Sequence, residues 1–174
     1  MILKLIVAYD CKKGIGLKNN LPWKIKEDMK RFVELTKGKG NNGVIMGKNT
    51  YIGIGKALRE RVNYVLSSSL KDEDNKINIL KEFKEIEKLD KNLDEIWVIG
   101  GSQIYNLFLE EEMIDELYIT EIEEDFKCDC FFREIDLNKW KLIEMKENET
   151  IDGIKYKDKI YKRIEIKDQN KDYQ

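Results

Sequence analysis

Hydrophobic residues gather in short blocks along the chain, separated by polar stretches and glycines. Continuous apolar blocks predict buried strands, and apolar positions repeating every three to four residues predict helices. The predicted strands cover residues 2–9, 43–47, 61–69, 77–80, the start of 94–113, and 115–123; the predicted helices cover about 24–36, 50–56, a segment through Phe83, Ile86 and Leu89, and the end of 94–113. This alternation predicts an α/β fold with a mostly parallel sheet.

The C-terminal part of the chain changes to a period of two. Residues 139–148 and 154–167 alternate between polar and apolar positions, with a turn near Gly153 between them. The pattern predicts a β-hairpin, which would add an antiparallel edge to the parallel sheet. We expect one domain over residues 1–166, followed by a polar, frayed tail at 167–174.

One acid lies on the apolar side of the first predicted helix. Asp28 comes three residues after Ile25 and four before Phe32, on the stripe that Met29 and Val33 also follow. The pattern alone leaves two interpretations open. The carboxylate binds a ligand, or it lies near the helix N-terminus, where the macrodipole favours an acid, and turns to solvent.

Composition favours a small-molecule partner over a nucleic acid or a membrane. The chain has 174 residues, Lys+Arg 32 nearly balance Asp+Glu 34, and no segment gathers the basic residues. The apolar start is interrupted by Lys4, is too short to cross a bilayer, and is followed by no small-residue cleavage site. Three cysteines, of which Cys128 and Cys130 are too close along a strand to pair easily, indicate reduced thiols and a cytoplasmic setting.

The chain contains no histidine. This excludes serine and cysteine nucleophiles that depend on histidine, histidine-ligated zinc and imidazole general bases. Proton transfer must use a carboxylate, Lys, Tyr, Cys or water, which makes the inward Asp28 more interesting. The Cys-x-Cys at 128–130 is a weak metal signal, and we expect no metal site.

Two joints between a strand and a helix have the composition of anion-binding turns. In WVIGGSQIY and VIMGKNTY, glycines let the backbone approach a ligand, and the next amides open a helix whose positive end can hold phosphate. Two such joints on one sheet face suit a dinucleotide pyrophosphate, although each alone is also compatible with a plain turn. The residues concerned are Gly47, Lys48, Asn49 and Thr50 in one joint, and Gly100, Gly101, Ser102, Gln103 and Ile104 in the other.

The third predicted strand ends in a run of three serines, Ser67 to Ser69. A site for NAD would place a carboxylate there for the ribose hydroxyls, so this run fits a 2′-phosphate better. A solvated loop is the alternative interpretation.

Taken together, these segments resemble the dihydrofolate reductase family, in order and across nearly the whole chain. The matching pieces are GIGLKNNLPW, Asp28 with Phe32, VIMGKNTY, GIGKALRER, VIGGSQIY and LYITEI. The resemblance implies an eight-stranded twisted sheet with flanking helices. It also implies that hydride from NADPH reduces 7,8-dihydrofolate to 5,6,7,8-tetrahydrofolate, which supports one-carbon metabolism and thymidylate and purine synthesis. A monomer that binds antifolate inhibitors is implied as well.

The resemblance further implies a role for each matching residue. Asp28 is similar to the acid that binds the pterin ring, and Thr120 to the hydroxyl linked to it. Leu21 and Trp23 belong to the mobile 14–23 loop that closes over the nicotinamide. The implied substrate walls are Ile6, Val7, Leu21, Met29, Phe32, Ile54, Leu58 and Ile99; the implied cofactor contacts are Ala8, Ile15, Gly16, Gly47, Lys48, Asn49, Thr50, Ser67, Ser68, Gly100, Gly101, Ser102, Gln103, Ile104 and Tyr105.

Two segments depart from the family pattern. Arg61 matches the arginine that grips the glutamate α-carboxylate of folate. It ends the segment ALRER (57–61), where the family often has PLPGR, so Arg59 could compete. Gln103 stands where a basic residue often meets the 2′-phosphate. Selection of NADPH is then left to Lys48 with Ser68, and to Lys81.

The resemblance also suggests how protons and hydride move. Hydride must reach C6 of the pterin while N5 gains a proton, and no side chain is evident at N5. Asp28 is expected to fix the ring tautomer, while water admitted past Leu21 delivers the proton. Asp129, in a loop that touches the closing loop, is expected to have no catalytic role. The alternatives are the reductase of riboflavin synthesis and a nucleotide-binding module without catalysis.

Overall fold

The structure is a computed structural model that describes residues 1–18, 20–72 and 75–165 of the chain. Its strands are β1 (Ile2–Tyr9), β2 (Gly14–Gly16), β3 (Asn42–Gly47), β4 (Arg61–Leu66), β5 (Asn78–Leu80), β6 (Glu95–Val98), β7 (Glu116–Ile122), β8 (Cys130–Phe131), β9 (Trp140–Glu149) and β10 (Lys155–Arg163). Its helices are α1 (Lys26–Lys37), α2 (Lys48–Ile54) and α3 (Ser102–Glu110), with a 3₁₀ helix at Phe83–Lys88.

Eight of the strands form one sheet in the order β5-β4-β3-β6-β1-β7-β10-β9. The strands from β5 to β7 in that order are parallel, and β10 runs antiparallel to both of its neighbours. The predicted mostly parallel sheet with an antiparallel C-terminal hairpin is therefore confirmed. Val44, Ile45 and Met46 of β3 are all fully buried, because a central parallel strand is covered on both faces.

Alternate residues of the central strands face opposite sides of the sheet and build two cores. Ile45 packs on the side of α3, in one cluster with Tyr105 and Phe108. Its neighbour Val44 packs on the other side, in a cluster with Phe32 of α1. With helices on both faces, the carboxyl ends of the parallel strands are left at one open edge, where α/β proteins bind ligands.

Local hydrogen bonds end β4 earlier than the sequence predicted. The strand stops at Leu66 because the hydroxyl of Ser67 accepts the N–H groups of Ser69 at 3.3 Å and Leu70 at 3.1 Å. These bonds turn the chain away from the sheet. The first serine of the run is thus partly a turn residue, as the alternative interpretation proposed.

Two other segments also differ from the predictions. Residues 14–16, predicted as a loop, pair as β2 with β8 in a separate two-stranded sheet. The segment around Phe83 is a short 3₁₀ helix and not an amphipathic α-helix. The predicted tail at 167–174 lies outside the described residues. Within the described part of the chain, no helix combines the length and apolar character needed to cross a bilayer.

Candidate active site

A cleft of about 1070 Å³ opens at the carboxyl ends of the parallel strands. Strands β1 and β7 form its floor, α1 forms one wall, and the β3–α2 and β6–α3 joints form the other. The structure brings most of the sequence-predicted site residues to this cleft. They are Ile6, Val7, Ala8, Ile15, Gly16, Leu21, Asp28, Met29, Phe32, Gly47, Lys48, Asn49, Thr50, Ile54, Ser67, Ser68, Lys81, Ile99, Gly101, Ser102, Gln103, Ile104, Tyr105 and Thr120.

Asp28 lies in the first turn of α1 and points toward the cleft floor. The hydroxyl of Thr120, a buried residue of β7, donates a hydrogen bond of 2.7 Å to Asp28 Oδ1. Burial raises the pKa of Asp28 above its ordinary value, and the Thr120 bond opposes this effect. The carboxylate therefore does not turn to solvent. It is held in a half-buried place where a ligand with paired donors would complete its hydrogen bonding.

Apolar side chains surround Asp28 and stay exposed to the cleft. Leu21 is 50% exposed and Met29 is 49% exposed, although both are large hydrophobic residues. Ile54 is also exposed on the opposite wall. Exposed apolar residues gathered around a polar group are typical of a binding site for a flat, partly apolar molecule.

Two residues predicted for the substrate side do not line the cleft. Leu58 packs into the core on the α1 side of the sheet. Arg61 is held by the end of α1, where its Nη1 donates to Thr36 Oγ1 at 2.9 Å, and its Nε donates to the carbonyl of Arg59 at 2.8 Å. The side chain of Arg59 is exposed. The structure therefore gives Arg61 the fixed orientation and leaves Arg59 without one.

The two glycine joints on the cofactor side meet directly. The N–H of Gly47 donates to the carbonyl of Gly100 at 2.8 Å, and Gly100 has φ 115, the left-handed region that favours glycine. A Cβ on Gly100 would lie 3.1 Å from the ring and hydroxyl oxygen of Tyr105. Gly100 thus lies behind the cleft wall, in contrast to the prediction, whereas Gly101 lines the cleft. The peptide bond between these two glycines is cis.

Tyr105 fixes this region from below. Its hydroxyl lies 2.8 Å from the carbonyl oxygen of Ile6 and 3.0 Å from that of Ile99, so it bridges β1 and the end of β6. Complete burial raises the pKa of Tyr105, which keeps the hydroxyl protonated as a donor. The residue is therefore structural support for the cofactor joint.

Helices α2 and α3 both begin without a side-chain cap. Gly47 and Gly101 occupy the two cap positions, and the amides that follow them line the cleft. Uncapped amides at a helix start need an acceptor, and an anion supplies it well. A Cβ on Gly101 would lie 3.6 Å from Thr50 Oγ1, so the two joints are only about one side chain apart.

Cationic and hydroxyl groups lie beyond these joints. Lys48 Nζ donates to Ser69 Oγ at 3.0 Å, which holds the lysine beside the serine run. Ser68 and Lys81 both line the cleft. Glu82 lines it as well, which adds a negative charge to the region predicted to select a phosphate.

The loop predicted to close over the site is fastened at its start by Asp10. This buried carboxylate accepts the N–H groups of Lys12 at 2.9 Å, Gly14 at 2.7 Å and Phe126 at 3.1 Å. Farther along, Asp129 Oδ2 accepts the N–H of Lys18 at 3.0 Å. Both acids thus hold the loop through its backbone.

Trp23 does not line the main cleft. It borders an adjoining cavity of about 300 Å³ together with Leu21, Asp28 and Met29. The indole Nε1 is buried and makes no hydrogen bond to any described residue. A buried donor of this kind is usually satisfied by a water molecule or a ligand.

Several cleft residues were not found from the sequence. They are Asn20, Gly53, Leu66, Glu82, Phe83, Leu107, Asp129 and Cys130. Gly53, Leu66, Phe83 and Leu107 have no feature that separates a cleft wall from an ordinary core or turn residue. Asp129 and Cys130 reach the cleft because β8 pairs with β2, a contact between distant segments that local periodicity does not reveal.

Comparison with known proteins gives one consistent result. The sequence profile of the dihydrofolate reductase family matches residues 2–163. The dihydrofolate reductase of Aedes albopictus is 32% identical over 92% of this chain and 96% of its own length. The viral dihydrofolate reductase of Saimiriine herpesvirus 2 is 36% identical over 94% of this chain and 86% of its own length.

The fold gives the same match. The solved structure of dihydrofolate reductase from Enterococcus faecalis, complexed with NADP(H) and RAB-propyl, superposes with a TM-score of 0.83 at 28% identity, and the match covers 94% of this chain and 97% of that one. These similarities favour the folate hypothesis over the reductase of riboflavin synthesis and over a binding module without catalysis.

Proposed function

Since the chain belongs to the dihydrofolate reductase family, it reduces 7,8-dihydrofolate to 5,6,7,8-tetrahydrofolate with NADPH, and we propose that the cleft around Asp28 carries out this reaction. The observation that carries the assignment is the Asp28–Thr120 pair at the cleft floor. This anion faces two uncapped, glycine-led helix starts across a single cleft.

We propose that Asp28 binds the 2-amino-4-oxo ring of the pterin. Thr120 occupies one carboxylate oxygen, and the cleft side of Asp28 can accept two parallel N–H donors from a planar ring. The ring would then supply the partners that a half-buried carboxylate needs. The negative charge of Asp28 favours the ring tautomer and the protonation state that make C6 a good hydride acceptor.

A water molecule is proposed to bring the proton to N5. No histidine is present in the chain, and Asp28 is committed to the other end of the ring. The cavity between Trp23, Leu21 and Asp28 is next to the cleft, and the Trp23 indole offers a free buried donor. Trp23 is therefore proposed to hold this water, and Leu21 to control its entry.

The residues on the opposite wall fit NADPH, which supplies the hydride when bound. The amides after Gly47 and Gly101 suit the pyrophosphate, because they open two uncapped helices within reach of one ligand. Lys48, Ser68 and Lys81 are proposed to receive the 2′-phosphate. Lys48 is already held near the serine run by Ser69, and Gln103 lines the cleft without adding charge.

Arg61 is proposed to bind the α-carboxylate of the folate tail. Its hydrogen bonds to Thr36 and to the Arg59 carbonyl hold the guanidinium at the end of α1. Arg61 is not among the residues that line the cleft. Nη2 has no part in these two bonds. An arginine fixed in this way can bind a carboxylate at the cleft mouth with little loss of side-chain entropy.

We also propose a monomer, formed by one domain over residues 1–166, that works in the reducing cytoplasm. The three cysteines are free. The same surfaces would accept antifolate inhibitors, because such ligands must pair with Asp28. Nucleic acid is not expected as a partner, since the basic and acidic residues nearly balance.

The proposed function is tested by following NADPH oxidation on addition of dihydrofolate. Oxidation that depends on dihydrofolate is expected for the wild-type chain. The ribosylamino-pyrimidine substrate of the riboflavin reductase serves as the second arm and should give no turnover. Turnover of that substrate alone, or binding of NADPH without any turnover, would contradict the assignment.

A further inference from the structure

A second carboxylate lies behind Asp28, on the far side of the Thr120 hydroxyl. Asp158 of β10 stands directly opposite Thr120 in the β7–β10 pairing. Its Oδ1 is 3.2 Å from Thr120 Oγ1, which in turn is 2.7 Å from Asp28 Oδ1. The Asp158 side chain is only 15% exposed. One hydroxyl group therefore contacts two acids.

A hydroxyl has a single hydrogen and can donate it to only one of the two acids at a time. The shorter contact assigns that hydrogen to Asp28. The oxygen of Asp158 then faces the hydroxyl oxygen without a hydrogen between them. A largely buried carboxylate in this position must obtain its donors elsewhere, or it will compete for the Thr120 hydrogen.

Two other side chains supply those donors. Arg31 Nη1 lies 3.4 Å from Asp158 Oδ1, and Asn148 Nδ2 donates to Asp158 Oδ2 at 3.1 Å. Arg31 follows Asp28 by three residues on α1, so both side chains face β10 from the same part of the helix. The Arg31 guanidinium is also 5.8 Å from the centre of the Tyr118 ring, which limits its freedom.

We propose that Asp158 and Arg31 are positioning residues for Asp28, and that they act through Thr120 and through their opposite charges. The pair keeps the Thr120 hydrogen on Asp28 Oδ1, which leaves the cleft side of the carboxylate to the substrate. It also sets how strongly Asp28 and the ring beside it hold a proton. This inference rests on the proposed function, because it concerns the acid that binds the pterin.

The two charges have opposite effects on the site. Asp158 raises the pKa of Asp28 and Arg31 lowers it, both less than burial and the Thr120 bond do. Among the described residues, Tyr156 on β10 also faces these charges, and its own pKa responds to Asp158, Glu27, Asp28 and Arg31. Burial raises the pKa of Tyr156, so it is neutral at physiological pH. Removing one member of the Asp158–Arg31 pair would therefore leave the other uncompensated.

The test is the pH dependence of kcat/KM for dihydrofolate in two variants. Asp158→Asn removes a negative charge and should move the profile to lower pH by about 0.5 unit or more. Arg31→Met removes the positive charge and should move it to higher pH by a similar amount. The signs are the same whether Asp28 or the ring N5 titrates, since a nearby negative charge favours a proton on either. The double variant should lie between the two single variants.

Glu121→Gln is the matched control. Glu121 accepts a hydrogen bond of 2.8 Å from Lys159, on the same two strands but on the opposite face of the sheet. Loss of this ion pair should leave the pH profile unchanged. Thermal unfolding of every variant separates a change in stability from a change in the profile.

Several outcomes would overturn the inference. Unshifted profiles in variants that merely unfold at lower temperature would show that the pair is structural, and shifts in the same direction would exclude the effect of charge. If one variant does not fold, the other must still show its own shift. A wild-type chain without dihydrofolate activity would refute the proposed function, whereas an active chain with unshifted variants refutes only the role of Asp158 and Arg31.

Discussion

The two sides of the cleft offer different kinds of groups to a ligand. On the substrate side, side chains from α1, β7 and β10 converge on Asp28, and hydrogen bonds between side chains hold them. On the cofactor side, two strand-to-helix joints present backbone amides, and glycines allow the joints to meet. A side-chain site is tuned by charge, and a backbone site is tuned by shape. The two sides should therefore respond differently to substitution.

The largest effect is expected at Asp28. Asp28→Asn keeps the shape but removes the charge that is proposed to polarise the pterin, so the rate at neutral pH should fall by about 100-fold or more. Lower pH should restore part of the rate, because substrate protonated in solution needs the charge less. Steady-state kinetics over a pH series checks this.

Glu27, an exposed acid in the same helical turn, provides the control, and the rate of Glu27→Gln should stay near wild type. A neutral-pH rate near wild type for Asp28→Asn would remove the acid from the mechanism.

Arg61 tests how far the side-chain site extends. Arg61→Lys should weaken the use of dihydrofolate by roughly 2 kcal/mol, because lysine cannot form the planar two-bond contact with a carboxylate. A dihydropterin without the benzoyl-glutamate tail should be turned over almost as before.

Arg59→Lys is the matched control for Arg61, two residues away and exposed. Comparing kcat/KM for the two substrates in both variants distinguishes the candidates. An effect of Arg59→Lys alone would show that the tail contact belongs to Arg59. No effect from either variant would mean that the tail is bound elsewhere.

Gly101 tests the backbone side. A Cβ here meets only Thr50 Oγ1 at 3.6 Å, and φ is −84, so Gly101→Ala should fold normally. Because Gly101 lines the cleft, the added methyl should weaken NADPH binding roughly tenfold by displacing the ligand from the amides. Gly100→Ala is the contrasting variant, since its positive φ and the contact at 3.1 Å with Tyr105 should lower stability. Fluorescence titration with NADPH and thermal unfolding measure the two effects, and equal loss of stability in both variants would contradict the distinction.

Lys48 is the charged exception on the backbone side. Lys48→Ala should lower kcat/KM for NADPH about fivefold and leave kcat/KM for NADH nearly unchanged. The reason is that the lysine is proposed to contact only the 2′-phosphate, from a partly exposed position. Added salt should likewise reduce the preference of the wild-type chain for NADPH over NADH. The measurement is kcat/KM for each cofactor. Equal loss for both cofactors would assign Lys48 to the pyrophosphate or to folding.

The smallest effect concerns stability at Asp28. Burial raises the pKa of this carboxyl in the folded chain, so the folded state binds its proton more tightly than the unfolded state does. The contribution of this carboxyl to stability is then greatest at low pH, and it falls as pH rises above 3.8, the ordinary pKa of the group. Asp28→Asn should therefore unfold at a higher temperature than wild type at neutral pH, with the difference disappearing in acid. A less stable variant at neutral pH would show that the Thr120 bond outweighs burial.

Local features of the sequence predicted much of this site. Asp28 was found because a helical repeat placed it among apolar residues. The cofactor joints were found because two glycine-led joints on one sheet face suit a dinucleotide, although each alone is also compatible with a plain turn. Arg61 was identified by similarity, yet the structure orients it through Thr36, a residue with no distinguishing local pattern. The positions of most strands along the chain were also predictable, because burial on both faces gives continuous apolar blocks.

From the sequence alone, the predictable features were the mostly parallel sheet with a terminal hairpin, the acid on the apolar face of α1, and the two glycine-led joints. The groups that surround this acid depend on the packing of distant elements. Asp158 lies in an alternating polar strand where any acid would pass as a surface residue, and the β7–β10 register alone places it opposite Thr120. Likewise, only the pairing of β2 with β8 brings Cys130 to the cleft. Periodicity records which face of an element is buried, whereas contacts between distant elements depend on register and packing.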